Sequence, residues 1–113
     1  MKYIQKGKVD IIEVVDEITI KNVDVFRIHM KRFLDEPSHQ LIVDLEKVSY
    51  MNSSALGIIA DAAMKAKKSK KELVIAGVKP PLEEIFEIVK FNSFLELFTS
   101  LQAAEEYCSQ KFT

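Results

Sequence analysis

The sequence is poor in the residues that build common small-molecule sites, with one cysteine, three glycines and two histidines among 113 residues. Cys108 alone cannot form an internal disulfide bond or a metal site made of several cysteines. The glycines, Gly7, Gly57 and Gly77, stand too far apart for a phosphate-binding loop or a dinucleotide-binding fingerprint. The histidines lack the spacing of metal ligands. We therefore predict a protein that has no cofactor and no metal and is not an enzyme.

An excess of either charge is also lacking, because sixteen basic and seventeen acidic residues give a net charge of −1. Such a balance provides no bulk attraction to nucleic acid or to an anionic membrane. The longest stretches of apolar residues and glycine, Ala55–Ala60 and Leu73–Val78, have six residues each, whereas a membrane span needs about 20. The N-terminus has no apolar block of the signal-peptide type. We expect a cytoplasmic protein that binds no membrane and does not bind nucleic acid directly.

The 113 residues, of which 48% are hydrophobic, fit one compact domain, and no repeat or linker divides them. We therefore predict a single domain over residues 1–113. Runs rich in β-branched and apolar residues indicate strands within it. These runs lie at Met1–Gln5, Lys8–Val15, Leu41–Leu45, Leu73–Val78 and Leu95–Phe98.

Helical patterns, with apolar residues at three- and four-residue spacing, separate the later strands. They run from Asn22 to about Leu34, from Asn52 or Ser53 into the lysine-rich stretch Lys65–Lys71, from Pro81 through Val89, and from Thr99 or Ser100 through Cys108. Strands separated by helices imply a largely parallel sheet, whereas the two N-terminal strands are close enough to pair as a hairpin. The pattern predicts the α/β class, with a mixed, mostly parallel sheet of about five strands and about four helices.

The cations of Lys65–Lys71 have two interpretations. They suit a solvated helix C-terminus, because positive charge complements the negative end of the helix dipole. The alternative is contact with a phosphate group or with an acidic partner. The pattern favours the first interpretation, since lysine runs of this kind more often mark a solvated helix end.

The segment from Leu41 to Gly57 combines a buried strand pattern, a short turn and two hydroxyls at a predicted helix start. One Ser or Asn is enough to cap a helix, yet Asn52, Ser53 and Ser54 stand together here. We expect Ser53 to be the cap and the hydroxyl of Ser54 to face outward. Gly57 costs up to ~1 kcal/mol of helix propensity, which suggests the close approach of a neighbouring group.

Two parts of this segment, Asp44-Leu45 and Met51-Asn-Ser-Ser-Ala-Leu-Gly57, resemble the phosphorylation site of the STAS domain, in particular that of bacterial anti-sigma factor antagonists. The usual form in that family is a strand, an Asp, a short turn and then Asp-Ser-Ser-Gly-Leu-Gly. Asn52 stands where the family often has Asp, and Ala55 replaces a common Gly. The order of the predicted strands and helices extends the resemblance over nearly the whole chain.

The resemblance implies a single STAS-like α/β domain with helices mainly on one face of the sheet. It also implies a protein that changes partners when an anti-sigma factor, itself a serine kinase, phosphorylates one serine. The unphosphorylated form binds that anti-sigma factor and so releases the sigma factor, and a phosphatase resets the switch. The matching acceptor in this sequence is Ser54, with Ser53 as the alternative.

The partner surface is expected at the start of the second predicted helix. The predicted partner-binding residues are Asp44, Asn52, Ser53, Ser54, Gly57 and Ile58. The loop Asp16–Asn22 is expected beside them, since it leaves a strand end at the same edge of the sheet. The alternative for Ile58 is that it packs internally.

Two other functions stay open on the sequence alone. The same fold serves as an accessory subunit or scaffold if the partner is a transporter or a signalling complex. A small nucleotide-binding protein or enzyme on an α/β scaffold is the third hypothesis, because a fold does not determine a function. A homodimer is also left open.

Overall fold

Five strands and four α-helices form in the predicted order in a computed structural model that describes residues 1–110. In chain order they are β1 (Lys2–Lys6), β2 (Val9–Glu13), α1 (Val23–Leu34), β3 (Gln40–Asp44), α2 (Ser53–Lys68), β4 (Glu72–Ala76), α3 (Pro80–Ile88), a 3₁₀ turn (Phe91–Ser93), β5 (Leu97–Phe98) and α4 (Leu101–Gln110). Residues 111–113, the end of the predicted domain, lie outside the described residues. None of the helices within residues 1–110 has both the length and the apolar character needed to cross a membrane.

The strands form one sheet in the order β1-β2-β3-β4-β5. β1 and β2 are antiparallel, whereas β2, β3, β4 and β5 run parallel to one another. A helix lies in each crossover between parallel neighbours, because such strands cannot be joined by a tight turn. The prediction of a mixed, mostly parallel sheet is confirmed.

β5 begins two residues later than the predicted strand Leu95–Phe98. The backbone N–H of Leu95 donates to the carbonyl of Phe91 at 2.9 Å, which closes a helical turn before the strand. The side chain of Leu95 is buried in the core. The apolar character of this residue therefore comes from core packing and does not mark a strand position.

Strand residues alternate between two hydrophobic cores, because successive side chains point to opposite faces of a sheet. The main core lies between the sheet and α1, α2 and α3, and it contains Phe26, Ile59 and Phe86. The smaller core lies under α4, which contributes Ala104 and Cys108. Three of the four helices in the described part of the chain thus cover one face, as predicted.

The loop that follows β3 lies directly against the end of β4 at Gly77. Gly77 has a φ of +74°, and a Cβ atom there would lie 2.6 Å from the backbone N and 2.8 Å from the Cα of Glu46. The backbone N–H of Leu45 donates to the carbonyl of Ala76 at 2.8 Å. This close contact positions the loop between β3 and α2, and thereby the start of α2.

Candidate functional site

The N-terminus of α2 is capped by Asn52. Its Oδ1 accepts a hydrogen bond from the backbone N–H of Ala55 at 2.9 Å, and its own backbone is extended. The prediction that Ser53 is the cap is therefore wrong. Because the amide side chain one residue earlier already accepts that N–H, Ser53 and Ser54 become the first two residues of the helix.

Both serines are exposed, and neither hydroxyl makes a hydrogen bond within residues 1–110. The first turn of α2 contains no acidic residue. Free backbone N–H groups and the positive end of the helix dipole are concentrated in this turn. The start of α2 therefore offers accessible hydroxyls in surroundings that favour a negative charge.

Ser54, unlike Ser53, lines a groove between α1 and α2. This α1/α2 groove has a volume of about 840 Å³ and reaches from Ser54 to Lys68, the last residue of α2. Gly57 and Ile58 line it as well. The groove thus connects the predicted acceptor with two of the predicted partner-binding residues.

The loop Asp16–Asn22 lies beside the start of α2, as predicted. The backbone N–H of Ile18 donates to the carbonyl of Tyr50 at 3.1 Å, and the N–H of Asn52 donates to the carbonyl of Ile18 at 3.0 Å. These bonds pair Ile18 with Met51 in a parallel bridge beyond the end of the sheet. The two loops are therefore held together by their backbones.

Two large apolar side chains that the sequence interpretation missed lie exposed next to this bridge. Ile20 is 86% exposed and Tyr50 is 48% exposed. Single exposed apolar residues are common, but here the backbone pairing brings two of them to the start of α2. We call Ile20, Tyr50, Asn52, Ser53 and Ser54 the switch surface.

Asp44 differs from the other predicted partner-binding residues because it is only 3% exposed. Its Oδ1 accepts a hydrogen bond from the backbone N–H of Glu46 at 3.1 Å, so the side chain supports the loop that follows β3. Burial raises the pKa of the Asp44 carboxyl, and the hydrogen bond from Glu46 opposes this effect. In this structure Asp44 positions the site from below and is not available to a partner.

The raised pKa of Asp44 predicts a pH-dependent cost of folding. The stability that the protonated carboxyl contributes is fully present below its ordinary pKa of 3.8 and is lost as pH rises through the raised pKa of the folded state. Asp44→Asn removes this titration. We expect the free energy of unfolding of the variant, relative to that of the parent, to rise between pH 3.5 and pH 7 in urea titrations, and a flat or falling difference would contradict it.

Gly57 has open space beside it, because an added Cβ atom would meet nothing within 4 Å. The prediction that a neighbour approaches closely at Gly57 is therefore wrong. Ile58, the next residue, is half-buried and packs against the main core. The sequence left partner binding and internal packing open for Ile58. The structure combines them, since part of the side chain packs internally and part of it lines the α1/α2 groove.

Gly57→Ala is therefore expected to stabilise the isolated chain. Alanine has a helix propensity about 0.8–1.0 kcal/mol more favourable than that of glycine, and no clash offsets the gain at this position. We expect the urea midpoint to rise with an unchanged denaturant slope. A loss of stability would show that α2 requires the flexibility of glycine at this turn.

Comparisons of this chain with a family model and with known proteins agree on one family. A model of the STAS domain matches residues 2–104. The anti-sigma-B factor antagonist of Listeria monocytogenes is 35% identical over 57 residues, which are 50% of this chain and 50% of that protein. BtrV of Bordetella bronchiseptica, provisionally named an anti-sigma factor antagonist, is 26% identical over 83 residues, which are 74% of this chain and 72% of that protein.

Solved structures share the fold at low sequence identity. An anti-sigma factor antagonist from Mycobacterium paratuberculosis has a TM-score of 0.86 at 17% identity, covering 94% of this chain and 90% of its own. The phosphorylated form of the Bacillus cell fate determinant SpoIIAA has a TM-score of 0.70 at 14% identity, covering 94% and 97%. The murine anion transporter Slc26a9 has a TM-score of 0.74 at 18% identity, covering 94% of this chain and 18% of the transporter.

Proposed function

Because this chain belongs to the STAS domain family, we propose that it acts as an anti-sigma factor antagonist switched by phosphorylation. Unphosphorylated, it binds an anti-sigma factor that is also a serine kinase, and the sigma factor is released in the bacterial cytoplasm. A phosphatase restores the binding form. The names of the curated relatives support this proposal.

The observation that carries the proposal is the exposed hydroxyl of Ser54 in the first turn of a helix that Asn52 already caps. Since the hydroxyl makes no hydrogen bond within the described residues, its modification removes no interaction from the fold. The exposed side chains of Ile20 and Tyr50 provide apolar area on the two paired loops next to the start of α2, and tyrosine is enriched among the residues that dominate binding energy. An accessible acceptor and an apolar binding surface therefore occupy the same end of the domain.

The modification is a phosphoryl transfer from ATP. The Oγ of Ser54 forms a bond to the γ-phosphorus, the bond from that phosphorus to the bridging oxygen breaks, and ADP leaves. The hydroxyl proton passes to a base of the kinase, which supplies the catalytic groups. The phosphatase adds water across the phosphate ester, returning the hydroxyl and inorganic phosphate.

Ser54 is the proposed acceptor, with Ser53 as the alternative. Both are exposed, but only Ser54 lines the α1/α2 groove and so adjoins a concave surface on which a partner can dock. A charge at Ser54 then lies at the end of the groove, whereas a charge at Ser53 lies outside the groove. A phosphate weakens binding most where it meets the docked partner, so we propose Ser54 as the acceptor.

The experiment is to purify each anti-sigma factor kinase encoded in the genome that encodes this chain and to titrate each one with the unmodified protein. The kinase that binds is then incubated with the chain and ATP, and the phosphorylated residue is mapped by mass spectrometry. Ser53→Ala is the matched control for Ser54→Ala. We expect phosphate incorporation to be lost in Ser54→Ala and retained in Ser53→Ala.

Each of the other outcomes has a definite meaning. Incorporation that survives in Ser54→Ala and disappears in Ser53→Ala assigns the switch to Ser53. Failure of every kinase to bind overturns the proposed function. If every kinase fails, affinity capture from lysate follows, and recovery of a membrane transporter or a signalling complex establishes the accessory-subunit role. Turnover of a nucleotide by the chain alone establishes an enzyme.

A further inference from the structure

We propose that the α1/α2 groove is the docking site for an acidic amphipathic helix of the anti-sigma factor. This inference rests on the proposed function, because it names the part of that partner which the groove accepts. The groove begins at the switch surface and continues along α2 for its full length. It therefore extends the partner surface well beyond the residues near Ser54.

The floor of the groove is apolar. Met30 of α1 and Ala62 and Ala66 of α2 are buried at its base, and Leu34 and Ile58 are half-buried beside them. The alanines are too small to fill the space between the two helices, which leaves a concave strip rather than a closed helix–helix seam. A partner with a row of larger apolar side chains can fill this strip.

The rim of the groove is strongly positive, although the chain as a whole carries −1. Its charged lining residues are Arg27, Lys31, Lys65, Lys68 and Lys71 against Asp35 and Asp61. The lining residues therefore carry an excess of three positive charges, of which one, that of Arg27, is paired at 2.6 Å with Asp24 of the same helix. The location of this excess, rather than the net charge of the protein, points to an acidic occupant.

Two of these cations are available to a partner. Lys65 forms an ion pair with Asp61 at 2.9 Å, and the Nζ of Lys71 donates to two backbone carbonyls, one of the last residue of α1 and one of the chain that follows it. Lys31 and Lys68 form no ion pair within residues 1–110. They lie on opposite sides of the groove, one on each helix, and are exposed.

The length of the groove, its apolar floor and its charged rim favour a helix as the occupant. The distance along α2 from Ser54 to Lys68 is about 21 Å at 1.5 Å per residue, which matches a helix of about four turns. A helix in a groove presents apolar anchors at i, i+3, i+4 and i+7 to such a floor and its charged flanks to the rim. The apolar floor of the groove packs against the apolar face of such a helix, whereas it offers nothing to the continuous phosphates of a nucleic acid or of an anionic bilayer surface.

This occupant explains why a phosphate at Ser54 acts on binding. The dianion would stand at one end of the groove, where it meets the acidic flank of the docked helix. Like charges at a close, partly desolvated contact are unfavourable. The groove therefore couples the modified serine to a contact area larger than the switch surface itself.

The test uses the full chain and the anti-sigma factor that binds it. Lys31→Glu/Lys68→Glu reverses the two available cations of the groove. Arg32→Glu/Lys67→Glu is the matched control, because it reverses neighbouring cations in the last turns of the same helices that do not line the groove. Both double variants have the same net charge, and each reverses one cation in the last turn of each of the two helices.

We expect isothermal titration to show at least 30-fold weaker binding for the groove variant and less than threefold weaker binding for the control. Reversing glutamates of the partner helix to lysine should restore binding to the groove variant. If the groove variant does not fold, judged by circular dichroism, Lys31→Gln/Lys68→Gln replaces it with an expected loss of at least fivefold.

Equal losses in the groove variant and the control would overturn the docking site, because they would reflect bulk charge alone. Full affinity in the groove variant would overturn it as well, while leaving the proposed function intact. Absence of binding by the parent chain would instead overturn the proposed function. Binding of phosphatidylglycerol vesicles or duplex DNA that is lost only in the groove variant would replace the acidic helix by an anionic lipid or nucleic acid.

Discussion

Phosphorylation of Ser54 should weaken binding of the anti-sigma factor more than a hundredfold while leaving the fold of the chain unchanged. In the free protein the phosphate lies at a helix N-terminus, where an anion is favoured by about 0.3–1 kcal/mol. In the complex the same dianion would be buried in a contact made for a hydroxyl, and an uncompensated buried charge costs several kcal/mol. A loss of ~3 kcal/mol already exceeds a hundredfold in affinity.

The measurement combines partner titration with amide NMR of the phosphorylated and unmodified chains. We expect chemical shift changes near residues 52–58 and none across the sheet. Because the kinase is not expected to modify Ser54→Ala, the control is phosphoserine introduced at position 53 of that variant by semisynthesis, and it should weaken binding far less. Widespread shifts, or an unchanged affinity for the anti-sigma factor, would contradict the proposed switch.

Gly77→Ala should be the most destabilising of the alanine substitutions at the three glycines. A left-handed backbone costs a residue with a side chain about 1–2 kcal/mol, and Gly77 has a φ of +74°. The new methyl would also meet the backbone N and Cα of Glu46, which cannot rotate away. Overpacking of this kind adds about 1–3 kcal/mol, so we expect a total loss of about 2–5 kcal/mol.

Gly7→Ala separates the two causes. Gly7 has a φ of +59°, but a Cβ atom added there would meet nothing within 4 Å. It should therefore show only the backbone cost, about 1–2 kcal/mol. Urea unfolding of both variants gives the difference, and equal losses would mean that the loop at Glu46 moves aside freely.

Most of the fold could be predicted because strands and helices differ in the period of their apolar residues. Two runs have the apolar character of strands covered on both faces, namely Leu41–Leu45, which Asp44 alone interrupts, and Leu73–Val78. They coincide with most of the central strands β3 and β4. The short β5 was harder, since Leu95 is equally apolar in a strand or in a turn. The backbone hydrogen bond from Leu95 to Phe91 places Leu95 in the turn before the strand.

The candidate site could be located from the sequence, but the roles within it could not all be assigned. Asn52 and Ser53 are both good caps, and the backbone path at the end of the loop selects Asn52. Helix propensity marks Gly57 as unusual, yet the close contact is at Gly77. The sequence did not indicate this contact, because Gly77 and its partner Glu46 are distant along the chain. Propensity describes a residue and its neighbours, whereas such contacts depend on the tertiary fold.

The exposed apolar residues were missed for a similar reason. Ile20 and Tyr50 lie close in sequence to the buried residues Ile18 and Met51, and an apolar residue in such a loop is as consistent with the core as with the surface. Only the pairing of Ile18 with Met51 brings their two loops together. Asp44 is the opposite case, because this polar residue of the motif is buried.

The bridge between Ile18 and Met51 has a kinetic consequence. Its two backbone hydrogen bonds order both loops in the free chain, so a partner meets a surface that is already in place. Association should then proceed without a slow rearrangement and depend on ionic strength through electrostatic steering. The amide protons of Ile18 and Asn52 should likewise exchange slowly with solvent before any partner is added.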